Sequence, residues 1–230
     1  MKAFLLAAGH GMRLRPLTDH TAKCLLPIRG EPLLEIWLRL CHRHAINEVL
    51  INIHSHASKV TDYLAEHHKG MPIKVMVEPR LLGSAGTVWA NRDWVSEGGS
   101  FWIFYADVLT RADLTAMLRF HQSRSARATL GVTHVADPTR CGIVEADEEN
   151  TLQSFIEKPE NPRSNLAFSG VMLATSQIFD LIPPDYPADF GFDVLPRLVG
   201  LAKVYEISDY LVDIGTKENY EAVQTTWPGL

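Results

Sequence analysis

Along the first half of the chain, short continuous apolar runs alternate with segments whose apolar residues recur at helical spacing. A continuous apolar run at 3–8 predicts a buried strand, and apolar residues that recur from Leu33 at helical spacing predict a helix over 32–45. Strands that alternate with helices build a parallel sheet covered on both faces, which predicts the α/β class. The alternation continues with strands predicted at 48–53, 73–77 and 101–105 and helices at 58–66, 86–95 and 113–121.

The pattern changes after about residue 126, where predicted strands follow one another with little helix between them. Turn residues separate them at Asp137-Pro138 and at 147–150, which indicates a more antiparallel excursion. Neither an internal repeat nor a long linker interrupts the sequence, so a single domain over 1–230 is expected. The strands are predicted at 128–135, 142–146, 152–156, 166–174 and 203–207, and the helical segments at 176–181, 192–201 and 217–225.

Composition and charge narrow the class of protein. The 230 residues are 46% hydrophobic and 21% charged, which is typical of a globular protein and excludes a membrane protein or a disordered chain. The net charge of −5 is uneven, because residues 1–30 carry +4 and the remaining residues carry −9. A short basic island in an acidic chain indicates a local anion site and argues against a nucleic-acid surface.

The cysteines and the N-terminus bear on the cellular setting. Cys24, Cys41 and Cys141 are odd in number and widely spaced, which indicates neither a disulfide framework nor a paired-cysteine metal site. The first apolar run is too short for a signal peptide, and none of the apolar stretches reaches the length of a membrane span. A cytoplasmic protein with no membrane partner is therefore expected.

A glycine loop with two arginines follows the first predicted strand. Gly9 and Gly11 allow backbone N–H groups to approach an anion, and Arg13 offers a bidentate fork to phosphate oxygens. A dinucleotide-binding loop would need a small residue at Leu14 and would open a helix directly, which Pro16 prevents. A phosphate site and a plain tight turn with a surface arginine both remain open at this point.

Seven segments in order resemble the sugar-1-phosphate nucleotidyltransferases. The first, AAGHGMRLRPLTDHTAKCLLPI at 7–28, is similar to the family form (A/G)GxGxRLxPLT followed by PK and LLP. Within the family the chain looks most like the mannose-1-phosphate guanylyltransferases and the short bacterial heptose- and N-acetylmuramate-1-phosphate enzymes. The other segments are EPRLLGSAGT at 78–87, YADVLT at 105–110, DPTRCGIV at 137–144, FIEKP at 155–159, SNLAFSG at 164–170 and VDIGTKENY at 212–220.

The resemblance implies a fold and a separate binding role for each half of the chain. The expected fold is a Rossmann-like, mostly parallel twisted sheet with helices on both faces and a small antiparallel sugar-binding excursion, known as the nucleotide-diphospho-sugar transferase fold. It implies a nucleotide-binding half at 1–126 and a sugar-phosphate-binding half at 127–230. The left-handed β-helix that longer family members append is not expected, because the sequence ends at Leu230.

The resemblance also implies a reaction, in which a sugar 1-phosphate attacks the α-phosphorus of a nucleoside triphosphate and pyrophosphate leaves. Arg13 would hold the triphosphate, Lys23 would lie near the α-phosphate, and Asp107 and Asp213 would bind Mg²⁺. The partners would be a nucleoside triphosphate and a sugar 1-phosphate. The family's nucleotide-binding positions are Leu6, Ala7, Ala8, Gly9, Gly11, Met12, Glu78, Gly83, Ser84 and Ala85, and its sugar-phosphate-binding positions are Gly142, Glu157, Lys158, Asn165, Ser169 and Gly170.

Glu78 bears on which base and which sugar the chain would use. Glu78 falls where relatives place a base-reading residue, and its carboxylate matches the donor pair of guanine, which favours GTP with a mannose- or heptose-type sugar. UTP, dTTP or CTP with a muramate, glucose or choline phosphate acceptor stays open, as does a non-catalytic regulatory subunit. Cys24, Met12 and Tyr105-Ala106 depart from the usual family residues. Either a monomer or a homodimer is expected.

Overall fold

The strands and helices fall into two units, each built from more than one stretch of the chain. The computed structural model describes residues 1–68, 72–95 and 99–230. Unit 1 comprises Met1–Leu81, Phe104–Ala112 and Asp209–Leu230, and unit 2 comprises Leu82–Ile103 and Asp113–Ser208. The units do not follow one cut in the sequence, and the division of roles between 1–126 and 127–230 stays a prediction.

The α/β class expected from the alternating pattern is confirmed. The α-helices are α1 (Leu33–Arg43), α2 (Ala57–His67), α3 (Ser84–Ala90), α4 (Leu114–Arg124) and α5 (Lys217–Thr226). The strands are β1 (Lys2–Leu6), β2 (Pro27–Ile28), β3 (Glu31–Pro32), β4 (Glu48–Ile53), β5 (Ile73–Val77), β6 (Phe101–Tyr105), β7 (Val108–Thr110), β8 (Ala128–His134), β9 (Gly142–Ala146), β10 (Leu152–Glu157), β11 (Leu166–Ala174), β12 (Ala202–Glu206) and β13 (Leu211–Asp213).

Unit 1 has a parallel sheet. β4 pairs in parallel with both β1 and β5, so that Leu50 lies between Phe4 and Lys74. α1 buries an apolar stripe because its apolar residues recur at the period of the helix, and Trp37 on this face stacks on Phe104 with ring centroids 4.8 Å apart. The short strands β7 and β13 form a separate antiparallel ladder in this unit.

Unit 2 is the more antiparallel part, as the sequence predicts. β11 pairs in antiparallel fashion with β8 and β9, and β10 pairs in the same way with β9. β12 runs parallel to β8. The register between β8 and β11 shifts between Phe168 and Met172, where Gly170 has a φ of 77°. Only glycine adopts this backbone conformation without strain, so the bulge depends on Gly170.

Several boundaries differ from the sequence prediction. β1 ends at Leu6, so that the last two residues of its apolar run belong to the loop that follows. The helix expected over 192–201 is instead a π-helix at Phe190–Val194 followed by a 3₁₀-helix at Leu195–Leu198, because Pro196 cannot continue an α-helix. The helical segment at Ser176–Leu181 is also a 3₁₀-helix. Over the described residues, none of the helices combines the length and apolar character that crossing a bilayer requires.

Candidate active site

The glycine loop of unit 1 is held at both ends by polar side chains. At its start, the backbone N–H of Ala7 donates to Oδ1 of Asn52 at 2.7 Å. At its end, Gly11 has a φ of 65° and its carbonyl oxygen accepts from Oγ1 of Thr18 at 2.8 Å. A Cβ at Gly11 would lie 2.9 Å from Cγ2 of Thr18, whereas a Cβ at Gly9 would meet no atom within 4 Å. The loop is therefore closely packed at Gly11 and open at Gly9.

The other loop residues expected to bind nucleotide lie at this same place in unit 1. Leu6 ends β1 and is partly exposed, and Ala8 is buried. Met12 begins a 3₁₀-turn, and 65% of its surface is exposed. The open backbone at Gly9 leaves room for an anion to approach the N–H groups of the loop.

A lysine and two aspartates from distant parts of the sequence converge in unit 1. Nζ of Lys23 lies 2.8 Å from Oδ2 of Asp107, and most of the lysine side chain is buried. Asp213 pairs with Val108 in the β7–β13 ladder, and the backbone N–H of Ile214 donates to the Asp107 carbonyl at 2.9 Å. The ladder therefore brings the two predicted metal ligands to one end of the same pair of strands.

Arg13 lies against the second aspartate at Gly215. Oδ1 of Asp213 accepts from the backbone N–H of Gly215 at 2.5 Å. A Cβ built on Gly215 would lie 2.7 Å from this same oxygen and 2.8 Å from Nη2 of Arg13. Glycine at 215 therefore leaves the space into which both charged groups fit. The predicted catalytic residues and metal ligands form one charged cluster in unit 1, which consists of Arg13, Lys23, Asp107 and Asp213.

The electrostatics of this cluster suit a divalent cation. Desolvation raises the pKa of Asp213 above its ordinary value, the negative charge of Asp107 raises it further, and the positive charges of Lys23 and Arg13 oppose the rise. Magnesium is bound by one or two carboxylates, with phosphate oxygens and water completing its octahedron. Among the described residues, no three or more His, Cys, Asp or Glu side chains are grouped so that they could hold a metal ion by themselves. The two carboxylates of Asp107 and Asp213 fit the magnesium ion that the sequence resemblance implies.

Glu78 is buried, and its carboxylate pairs with a residue that sequence reasoning missed. Only 2% of Glu78 is exposed, and its Oε1 accepts from Nδ2 of Asn52 at 2.9 Å. Asn52 therefore joins Glu78 to the backbone of Ala7 and the start of the glycine loop. The signal in the sequence is a polar side chain inside the apolar strand EVLINI. Base reading by Glu78 stays a prediction.

The remaining predicted nucleotide-binding residues belong to unit 2 and contact a later segment of that unit. Gly83 has a φ of 81°, and a Cβ there would overlap the carbonyl oxygen of Ala188. This oxygen also accepts from the backbone N–H of Ala85 at 3.0 Å. Ser84 donates from Oγ to Oδ2 of Asp189 at 2.8 Å. The start of α3 is thus fixed to the segment that leads into the π-helix.

Glu157 and Lys158 form an ion pair at the end of β10 in unit 2. Oε1 of Glu157 lies 3.4 Å from Nζ of Lys158, and Lys158 has a φ of 49° with its N–H donating to the Cys141 carbonyl at 3.0 Å. A Cβ at Gly142 would lie 2.7 Å from Oε2 of Glu157. Burial raises the pKa of Glu157, Lys158 opposes the rise, and Asp189 adds to it. Gly142 and the ion pair therefore lie together.

Asn165, Ser169 and Gly170 occupy β11 and the turn before it, and they differ in what they offer to a ligand. Asn165 is exposed, and its Oδ1 lies 2.9 Å from Nδ1 of His134. Ser169 is buried and donates from Oγ to the carbonyl of Gly131 at 2.7 Å. Gly170 lies in the β-bulge described above. The hydroxyl of Ser169 is engaged within the fold, and sugar binding by these three residues stays a prediction.

Comparisons with known proteins identify the family. Residues 2–227 match the family described as Nucleotidyl transferase, and the chain belongs to that family. Mannose-1-phosphate guanylyltransferase of Mycobacterium tuberculosis is 32% identical over 226 residues, which cover 95% of this chain and 62% of that protein. UTP–glucose-1-phosphate uridylyltransferase of a Synechocystis strain is 29% identical over 238 residues, covering 96% and 61%. The chain thus spans about three fifths of the length of these curated relatives.

The structural comparison agrees with the family assignment. A UDP-glucose pyrophosphorylase from Acinetobacter baumanii superposes with a TM-score of 0.84 at 22% sequence identity, covering 97% of this chain and 91% of that one. At this identity the likeness is one of fold. The expected nucleotide-diphospho-sugar transferase fold, a mixed and mostly parallel sheet with helices, is confirmed.

Proposed function

We propose that this chain transfers a nucleoside monophosphate from a nucleoside triphosphate to a sugar 1-phosphate. The observation that carries the proposal is the cluster of Arg13, Lys23, Asp107 and Asp213 in unit 1. In the reaction, a phosphate oxygen of the sugar 1-phosphate forms a bond to the α-phosphorus as the bond to the departing pyrophosphate breaks. Positioning and charge neutralisation perform most of the catalysis in such phosphoryl chemistry.

The cluster has the charges that this chemistry needs. Arg13 is placed to hold the triphosphate and to stabilise pyrophosphate as it leaves, because its guanidinium pairs with phosphate oxygens in a bidentate manner. Lys23 neutralises charge near the α-phosphate while Asp107 orients its ammonium group. Magnesium held by Asp107 and Asp213 would polarise phosphate oxygens and offset negative charge. The open glycine loop is the proposed site for the triphosphate.

The acceptor is proposed to bind at Glu157 and Lys158 in unit 2. Lys158 carries the positive charge that a sugar phosphate requires, and Glu157 is placed to accept hydrogen bonds from sugar hydroxyls. Gly142 supports this role because it leaves space for the carboxylate of Glu157. A mannose- or heptose-type 1-phosphate is the favoured acceptor.

GTP is the favoured donor. Similarity to relatives named mannose-1-phosphate guanylyltransferase supports it, among them those of Dictyostelium discoideum and Mycobacterium tuberculosis. A uridylyltransferase relative keeps UTP as a second candidate. The reaction is placed in the cytoplasm, in keeping with three free cysteines, and the protein is proposed to act as a monomer or a homodimer. For Cys24, burial raises the pKa to about 12, which suits a packing role.

The direct test is pyrophosphate release from the purified chain with a matrix of donors and acceptors. GTP, UTP, dTTP and CTP would each be combined with mannose 1-phosphate, a heptose 1-phosphate, glucose 1-phosphate and N-acetylmuramate 1-phosphate, with and without magnesium. The expected result is magnesium-dependent turnover, highest with GTP and a mannose- or heptose-type acceptor. Nucleotide binding without turnover in any combination would contradict the enzyme assignment and favour the regulatory alternative.

A further inference from the structure

A large aromatic side chain lies exposed beside the proposed sugar-phosphate site. Phe192 has 61% of its surface exposed, although it lies on the same π-helix as Phe190, which is fully buried. Its ring lies beneath the ammonium of Lys158, with Nζ 5.6 Å from the ring centroid. The ring therefore offers an apolar surface directly beside the charge of Lys158.

The backbone around Phe192 is fixed by hydrogen bonds. Oδ1 of Asp189 accepts from the N–H groups of Gly191 at 2.8 Å and of Phe192 at 3.4 Å. The backbone N–H of Asp189 in turn donates to Oδ2 of Asp193 at 2.7 Å. The ring is therefore presented from a hydrogen-bonded turn of the π-helix, and preorganisation of this kind favours ligand binding.

Close packing connects this turn with the carboxylate of Glu157. A Cβ built on Gly191 would lie 2.6 Å from Oε2 of Glu157, so the turn approaches the carboxylate as closely as a glycine permits. Glu157 contacts Lys158 through its other oxygen at 3.4 Å. A carboxylate, an ammonium and a flat apolar surface therefore lie together in unit 2.

This combination matches the chemistry of a phosphorylated pyranose. Hydroxyl groups of such a ligand pair with the carboxylate, its phosphate pairs with the ammonium, and one face of its ring presents C–H groups. Binding sites for small molecules combine apolar and aromatic walls with a few polar groups in this way. We propose that Phe192 is a specificity-determining residue whose ring packs against the C–H face of the sugar in the acceptor. This inference rests on the proposed function.

The experiment compares Phe192→Ala, Phe192→Leu and Phe192→Tyr with the wild-type chain in pyrophosphate release. Mannose 1-phosphate is varied at saturating GTP, and GTP is then varied at saturating mannose 1-phosphate. We expect Phe192→Ala to raise KM for mannose 1-phosphate by about tenfold or more, given the apolar surface that one aromatic ring buries. Phe192→Leu is expected to raise it less, Phe192→Tyr to leave it within about twofold, and KM for GTP to stay unchanged.

Ile156→Ala is the matched control. Ile156 is also exposed, at 52%, but it precedes Glu157 on β10, and successive strand residues point to opposite faces. This variant should keep the wild-type KM for mannose 1-phosphate. Circular dichroism and thermal unfolding check that each variant is folded.

The outcomes separate the inference from the proposed function. An active wild-type chain with an unchanged KM in Phe192→Ala would overturn the role of Phe192 and leave the proposed function standing. Equal KM values for Phe192→Leu and the wild type would overturn the need for a flat ring. No turnover by the wild-type chain with any donor and acceptor would overturn the proposed function and this inference with it.

Discussion

Nζ of Lys23 donates to Oδ2 of Asp107 at 2.8 Å, joining residues 84 positions apart in the sequence. The ion pair places a positive and a negative group just after β6. Both charges act on the nearby carboxyl of Asp213, whose pKa is raised. Hydrogen bonds of this kind orient a carboxylate, as they do for carboxylates that bind metals. A substitution at either residue of the pair therefore changes both the charge and the geometry of the cluster.

The first prediction is that Asp107→Asn lowers turnover by about 100-fold or more, because one of the two carboxylates proposed to hold magnesium loses its charge. The amide oxygen still accepts from Lys23, so the fold is expected to survive. Turnover is measured as pyrophosphate release over a magnesium titration, with Asp62→Asn as a control because Asp62 is exposed on α2 of the same unit. Wild-type rates with an unchanged magnesium requirement would refute a metal role for Asp107.

Strands that are buried on both faces were the most predictable part of the fold. The bounds of β4, β6 and β11 agree with the sequence prediction, because mostly apolar runs of this length mark a buried strand. β7 and β13 were missed because strands of three residues have no detectable period. They become strands only by pairing with each other, and that pairing is what brings Asp107 and Asp213 together.

The candidate site was predictable only through motifs. Composition located the basic residues of 1–30 but did not distinguish among them. Lys2 forms an ion pair with Glu48, whereas Lys23 forms one with Asp107 in the charged cluster. Sequence reasoning missed the role of Asn52 because its partners Ala7 and Glu78 are 45 and 26 positions away. Long-range hydrogen bonds of this kind follow from the register of the parallel strands, which a single sequence does not reveal.

The second prediction concerns Gly215, where an added Cβ would meet both Asp213 and Arg13. We expect Gly215→Ala to lower turnover by about tenfold or more, since small displacements of catalytic groups are costly. The unfolding midpoint should change little, because Nη2 of Arg13 is the end of a flexible side chain. Pyrophosphate release and thermal unfolding are measured on the same preparations. A variant with normal turnover would show that Asp213 and Arg13 need not keep these positions.

The third prediction concerns the buried pair of Asn52 and Glu78. Asn52→Leu removes the acceptor of the Ala7 N–H and a donor to Glu78, which should cost about 2–3 kcal/mol of unfolding free energy. Replacing both partners, as Asn52→Leu with Glu78→Leu, should cost less than the sum of the two single changes. Urea unfolding measures all three variants. Additive costs would indicate that the two side chains do not interact in solution.

A consequence for binding follows from the same pair. Because Asn52 also holds the start of the glycine loop, Asn52→Leu should raise KM for GTP and leave KM for mannose 1-phosphate unchanged. Glu78→Gln keeps an acceptor for Asn52 but adds a donor, and the base-reading prediction expects weaker selectivity for GTP over UTP. Unchanged base selectivity would limit Glu78 to its structural contact with Asn52.

The fourth prediction concerns pH and the buried His121 in unit 2. Its Nε2 lies 2.9 Å from Oγ of Ser100 and its Nδ1 lies 2.8 Å from Oγ1 of Thr129. Burial lowers the pKa of His121 below its ordinary value of 6.5. His121 also lies in the last turn of α4, where the helix dipole favours a cation, but desolvation is the stronger effect.

The sign of the pH effect follows from proton binding. The unfolded chain binds a proton at this histidine near pH 6.5, whereas the folded chain binds it only at lower pH. The contribution of neutral His121 to stability is therefore fully present above the unfolded pKa and is lost as the pH falls towards the folded pKa.

We expect His121→Gln to lose less unfolding free energy than the wild type when the pH is lowered from about 7 to about 5. Urea unfolding at each pH measures both proteins, and His20→Gln, at an exposed position, is the control that should follow the wild-type curve. Parallel curves for His121→Gln and the wild type would mean that His121 titrates alike in the folded and unfolded chain, which its burial argues against.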